Sequence, residues 1–319
     1  MDAVPRRAVL RGAAALGLLA ALPGCASPNA GLRLTIATGS TQGVYYALGS
    51  ALATAWRDEL GLTNAPSVRS TAGSVDNLQL LATRTADVAF SQVDTAADQL
   101  ARTAPDDPSG PRALARIYDD VVHVVVPASS PITSIAQLRG ARVSVGAPDS
   151  GVFVIAQRVL QAVNLAMAGD VRAVYLGLDA SATALREGRI DAFFWSGGLP
   201  TRGVSDLAAA LPIRLLELQD VLQRIRTTYP VYASGTVPAG SYGTAQPVST
   251  LFVRNVLLVR AEMPEQVAHG LAAALFARQP QLAQASPAAL TIDLRAAIGT
   301  QPVPLHPGAE RWYREAKGY

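Results

Sequence analysis

The chain has 319 residues, half of them apolar and only 16% charged, which is ample for a large core and excludes an intrinsically disordered chain. Its formal charge of +3 arises mainly from Arg6, Arg7 and Arg11 in the first 24 residues; the rest of the chain carries 24 basic against 23 acidic residues, no footprint for nucleic acid. A single cysteine, Cys25, and a single lysine, Lys317, exclude an internal disulfide, a phosphate loop and a Schiff-base enzyme, and the scattered His123, His269 and His306 point to no metal or other cofactor.

Residues 1–24 read as a signal peptide: a basic start with paired arginines, then an apolar run over residues 12–22 that is too short to span a bilayer. Leu22-Pro23-Gly24-Cys25 resembles a lipobox, which makes Cys25 the expected site of acylation and residues 25–31 a lipidated tether. Two acyl chains suffice to hold a soluble domain on a membrane surface, so the expected location is outside the cytoplasm, anchored to lipid.

From residue 32 onward, short apolar runs alternate with helical periodicity, the grammar of an α/β fold. Strands are expected at residues 34–37, 68–70 and 88–91, with a helix carrying Val44, Leu48, Leu52 and Trp56 on one stripe and another opened by Ser74 as its cap. The same order returns about a hundred residues later. A strand at residues 143–146 precedes a helix opened by Gly151, and a helix at residues 182–187 precedes a strand at residues 191–194. Gly151 lies 108 residues after Gly43, and Asp191 lies 104 after Asp87. Near-equal offsets point to two lobes of similar wiring. Strands at residues 121–126 and 251–258 supply two crossings between the lobes, giving residues 32–121 and 250–319 as lobe I and residues 122–249 as lobe II. Helices at Glu265–Ala277, 287–298 and 308–317 complete the first lobe.

In open α/β sheets ligands bind beyond the carboxyl ends of strands, where helix N-termini offer unpaired amides. Loops rich in Gly, Ser and Thr occupy such places at residues 39–43, 71–74, 148–151 and 195–198, with a fifth polar loop at residues 91–94. They suit a small carboxylate. With no lysine in the interior, a cation in the cleft must be arginine, and Arg69, Arg202 and Arg254 are the candidates. An exported hydrolase is the remote alternative, and two features bear on it. Ala239-Gly240-Ser241-Tyr242-Gly243 fits a relaxed nucleophile pattern, but it reads as a loop lacking the strand-to-helix elbow. The acid pairs Asp106-Asp107 and Asp119-Asp120 read as solvated groups in or beside polar turns.

The motifs TIATGSTQGVYYALGSALA (residues 35–53), STAGSVDNLQLLATRTADVAFSQVD (70–94), ITSIAQLRGARVSVGAPDSG (132–151), LREGRIDAFFWSGG (185–198) and PLHPGAERWYREAKG (304–318) resemble the TAXI family. These are the solute-binding proteins of one class of tripartite ATP-independent periplasmic (TRAP) transporters. The third motif departs from the Gly-Ser-Gly-Thr-like turn usual in that family, with Val152 at the hydroxyl position. The resemblance implies a type II periplasmic-binding-protein fold, two α/β lobes joined by a two-crossing hinge with a ligand cleft between. It implies capture of a glutamate-like amino acid or a dicarboxylate, delivery to integral-membrane permease subunits, and no covalent chemistry. The ligand is then expected to meet Ser40, Thr41, Gly43 and Tyr45, next Thr71, Gly73, Ser74 and Asn77, then Gln92 and Asp94, with Ser150, Trp195 and Ser196 from the other lobe. A receptor of the same fold serving an ATP-driven (ABC) importer or a sensor kinase is the alternative.

Overall fold

A computed structural model describes residues 29–317. The leader and Cys25 lie outside the described residues. The first lobe begins β1 (Thr35–Ala37), α1 (Val44–Leu60), β2 (Ser67–Arg69), α2 (Ser74–Ala82), β3 (Val88–Gln92), α3 (Val93–Arg102). The long strand β4 (Pro111–Pro127) leads to β5 (Arg142–Ser144), α4 (Gly151–Ala162), β6 (Arg172–Val174), α5 (Leu178–Arg186), β7 (Ala192–Gly197), α6 (Arg202–Ala210), β8 (Ile213–Leu215), α7 (Gln219–Thr228) and β9 (Ala233–Val237). A second long strand, β10 (Val248–Arg260), returns to α8 (Glu265–Ala277), α9 (Gln279–Ala285), α10 (Leu294–Ala297) and α11 (Pro307–Ala316).

All ten of these strands join one sheet, whose main path runs β2-β1-β3-β10-β4-β7-β5-β6. β4 and β10 pair from Pro111↔Arg260 up to Val121↔Phe252 and there part company. Beyond that point β4 takes β7 and β8 as partners, while the start of β10 pairs with β9. Two strands therefore carry the chain between two α/β halves, as the wiring expected from the sequence requires.

The halves repeat each other to the level of single bonds. β1 lies parallel to β2 and β3, and β5 lies parallel to β6 and β7. Asp87 accepts from the Thr35 amide at 2.8 Å, and Asp191 accepts from the Arg142 amide at 2.8 Å. Each aspartate thus ties the start of its strand to the strand beside it. The helices before these two aspartates are each followed, one residue past the cap, by a residue of positive φ, Arg84 at 61° and Gly188 at 68°.

Burial explains the placement of the C-terminal helices. The α1 stripe of Leu48, Leu52 and Trp56 packs with Leu271 and Leu275 of α8 and Tyr313 of α11. The Trp56 indole donates to the Leu271 carbonyl at 3.1 Å, so the ring is both fully buried and hydrogen-bonded. A second core runs under both halves, from Leu78 and Val93 to Ile155 and Val159.

Several expectations are corrected. The crossing expected at residues 121–126 is the second part of a 17-residue strand, so Asp119 and Asp120 are not turn residues but strand residues. The helix expected over residues 287–298 is a 3-10 turn, Pro287–Thr291, followed by the short α10, because Asp293 caps a new start at Leu294. Ser74 does not cap α2: Gly73 occupies that place, at a φ of 127° open to glycine, and the Ser74 hydroxyl accepts from the Gln92 amide instead. The Ser241 pattern follows an unforeseen strand, β9, but passes through a single 3-10 turn, Ser241–Gly243, toward β10 without entering an α-helix, so the nucleophile elbow is missing.

Candidate functional site

The loops after β1, β2, β5 and β7 point into one cleft of about 340 Å³ between the lobes, within the range of small-molecule pockets. Five helix N-termini open onto it. They are the starts of α1 at Gly43 and Val44, α2 at Gly73 and Ser74, α4 at Ser150 and Gly151, α5 at Gly177 and Leu178, and α6 at Thr201 and Arg202. Each brings a partial positive charge worth about 0.3–1 kcal/mol to a nearby anion, more where partly buried. The sequence order strand, short loop, helix is what turns all five toward the cleft.

The lobes touch here. The amide of Asp76 on α2 donates to the Asp149 carbonyl at 3.0 Å, and Gly73 faces Ser150. Gly151 lies so close to Gln92 that a Cβ there would stand 2.0 Å from Gln92 Oε1. This contact demands glycine at the head of α4.

Of the expected contact residues, Ser40, Gly43, Tyr45, Thr71, Gly73, Ser74, Gln92, Ser150, Trp195 and Ser196 line the cleft. Three do not. Thr41 is exposed on its loop, away from the cleft lining. Asn77 is fully buried on the inner face of α2, where its amide donates to the Phe90 carbonyl at 2.8 Å and to the Thr38 carbonyl, and its oxygen accepts from Thr71 Oγ1 at 2.6 Å. It holds the loop that lines the cleft. Asp94 is taken up by Arg158 of α4 at 2.6 Å and by the Tyr232 hydroxyl. Among the candidate arginines, Arg202 alone lines the cleft, on its rim, with 81% of its side chain exposed. Arg254 spends its guanidinium on the Gly299 and Gln301 carbonyls, and Arg69 is not part of the lining.

The floor is acidic, which sequence reasoning missed. Tyr118 and Asp120 sit two apart on β4 and so face the cleft together, while Asp119 between them turns away to Arg116 at 2.6 Å. Gln92 Nε2 donates to Asp120 Oδ2 at 2.8 Å and to Ser196 Oγ at 2.8 Å, and Ser196 Oγ donates to Asp120 Oδ2 at 3.1 Å. Burial lifts the Asp120 pKa to about 6, against the opposing pull of Gln92, Asn255, Ser196 and Tyr118. Behind it, Tyr45 donates to Asn255 Oδ1, and burial first, then the nearby Asp120 charge, raises the Tyr45 pKa well above its usual value. A signal was available: Ala113, Leu114, Ala115, Ile117 and Tyr118, broken only by Arg116, continue the strand backward through the two acids.

The far wall is set by Trp195, whose indole donates to Thr201 Oγ1 at 3.0 Å, while the Thr201 amide donates to the Tyr242 hydroxyl at 2.7 Å. Tyr242 also meets the buried His123 at 3.2 Å, so the residue inside the suspected nucleophile motif braces this wall.

Two α/β halves crossed by two strands, with helix N-termini facing one interlobe cleft, define the fold of the two-lobed periplasmic solute-binding proteins. Solved structures agree at the level of fold. A protein described as a periplasmic transporter matches with a TM-score of 0.52 at 15% identity, over 90% of this chain and 93% of that one. XAC2383 from Xanthomonas citri, described as bound to ATP, matches at 0.51 and 16% identity over 90% and 96%. A putative L-cystine ABC transporter from Listeria monocytogenes matches at 0.50 and 12% identity over 80% and 94%. The chain belongs to the NMT1-like family, whose model matches residues 36–317.

Proposed function

We propose that the protein is an extracytoplasmic solute receptor that captures a small organic acid by closing residues 32–121 and 250–319 against residues 122–249. The observation that carries this reading is the convergence of five helix N-termini from both lobes on one cleft. Ser40, Gly43, Tyr45, Thr71, Gly73, Ser74, Gln92, Ser150, Trp195 and Ser196 supply the contacts. Binding and closure are the working events, and no covalent step is needed. The residue likeness over residues 35–53, 70–94 and 304–318 supports assignment to the TAXI class, delivering its ligand to a TRAP-type permease. In this reading residues 1–24 direct export and acylated Cys25 tethers the protein to the membrane.

Isothermal titration calorimetry of the mature protein against acidic and neutral amino acids, dicarboxylates and monocarboxylates tests the proposal. Heat of binding is expected from at least one, together with a change in Trp195 emission that disappears in Trp195→Phe. Silence across the panel ends the reading. Uptake by the reconstituted receptor and permease that needs ATP hydrolysis rather than an ion gradient replaces the TRAP assignment with the ABC one.

A further inference from the structure

The cleft carries opposite electrostatic characters at its two ends. Its rim is made of helix N-termini, which favour an anion. Its floor holds a carboxylate, Asp120, that is 3% exposed and has no basic partner among the described residues. The groups facing it from each packed element are Tyr45 of α1, Gln92 of β3, Tyr118 of β4 itself, Ser196 of β7 and Asn255 of β10, with none of them cationic. Asp94, at the start of α3, is already neutralised by Arg158, and Asp119 by Arg116.

Among the described residues, the acceptors Asp120 Oδ1 and Gln92 Oε1 are both buried without a hydrogen-bond partner, as is the donor Asn255 Nδ2 of β10 behind them. Asp120 and Gln92 both line the cleft. A buried acceptor without a donor, and above all a buried charge without a counter-charge, is unfavourable. Gln92 Oε1 lies against Gly151 and Asn255 Nδ2 is neutral, so what the floor lacks is a counter-charge for Asp120, which a donor-bearing, positively charged group from outside the chain supplies. A plain dicarboxylate answers only the rim and sets a second negative charge against Asp120.

We infer that Asp120, supported by Gln92, anchors a protonated amine of the ligand, so that the receptor of the proposed function selects a zwitterion, amine on the floor and carboxylate at the helix ends, over the same acid lacking the amine. The inference rests on the solute-receptor reading and narrows it to amino-acid-like ligands. It also assigns Asp120 a binding role that the expected contact set did not contain.

The test is calorimetry with matched pairs: L-glutamate and glutarate, L-aspartate and succinate, L-glutamine and glutaramate, L-leucine and 4-methylpentanoate. The aminated member of at least one pair is expected to bind a hundredfold or more tightly than its partner. In Asp120→Asn that preference falls at least tenfold, with a thermal melt confirming that the variant is folded. The wild-type protein supplies a check that needs no variant. Because Asp120 takes up a proton near pH 6, affinity for the aminated ligand weakens about tenfold from pH 7 to pH 5, whereas affinity for a plain acid does not weaken by this route. A deaminated acid that binds as tightly as its amino partner overturns the inference and leaves the receptor reading standing. Silence from every compound in the set overturns both.

Discussion

Asp120 is the residue where the demands of folding and of binding diverge. Burial raises its pKa from 3.8 to about 6 in the folded protein. Between those values the folded state holds the proton and the unfolded chain does not, so the contribution of Asp120 to stability is best at low pH and is lost as pH rises through the window from about 4 to 6. A rise of that size corresponds to about 3 kcal/mol of destabilisation at neutral pH. Asp120→Asn keeps an oxygen for Gln92 and Ser196 while removing the charge. The variant is expected to melt several degrees above wild type at pH 7.5, with the difference vanishing toward pH 4; a variant that melts lower at pH 7.5 contradicts the assignment of a strained buried charge. That a binding site retains such a group is the ordinary exchange of stability for function.

Among the elements, α3 and α4 are joined across the lobes by a buried charge network. Arg158 on α4 is 5% exposed and meets Asp94 and Asp98 of α3, with the Tyr232 hydroxyl on Asp94 and the Tyr229 ring 4.0 Å from the guanidinium carbon. Burial disfavours the Arg158 charge, but Asp94, Tyr232 and Asp98 more than offset it and hold the group protonated. Arg158→Ala leaves Asp94, whose side chain is fully buried, without a counter-charge. The expected loss is about 3–5 kcal/mol in urea unfolding, most of it recovered when Asp94→Asn is added, since removing both charges is far milder than removing one. The same network explains why Asp94 reads as a contact residue in the sequence but not in the fold. A polar residue after a strand is placed near the cleft by periodicity alone; only the approach of Arg158, 64 residues further along the chain, turns it to another partner. Asp119-Asp120 failed for the converse reason. Two adjacent acids resemble a turn until a paired strand puts one on each face.

For the molecule as a whole, the proposed function makes the contact between lobes the variable to test. Gly151 and Gly73 let α4 approach α2 and Gln92 without an intervening side chain. Gly151→Ala places a methyl group against Gln92 Oε1, whose amide is already fixed on Asp120 and Ser196. Each lobe is expected to fold as before, yet the closed arrangement is lost. Affinity for the ligand found by calorimetry should fall at least tenfold, and small-angle X-ray scattering of the ligand-saturated protein should give a larger radius of gyration than wild type; an unchanged radius and affinity exclude closure as the step that Gly151 controls.

Local pattern was sufficient for the α/β class, the doubled wiring and most of the loops that line the cleft, because strand and helix periodicity, turn residues and the Asp87 and Asp191 repeat are written within a few residues of where they act. It was not sufficient for the acidic floor or the diversion of Asp94, which depend on partners that the long β4 and β10 strands bring from distant segments, nor for the burial of Asn77, which depends on how α2 packs over β1 and β3. A charge declares its environment only when the low-dielectric surroundings and missing counter-charge are assembled around it, and that assembly is a property of the completed sheet rather than of any stretch of sequence.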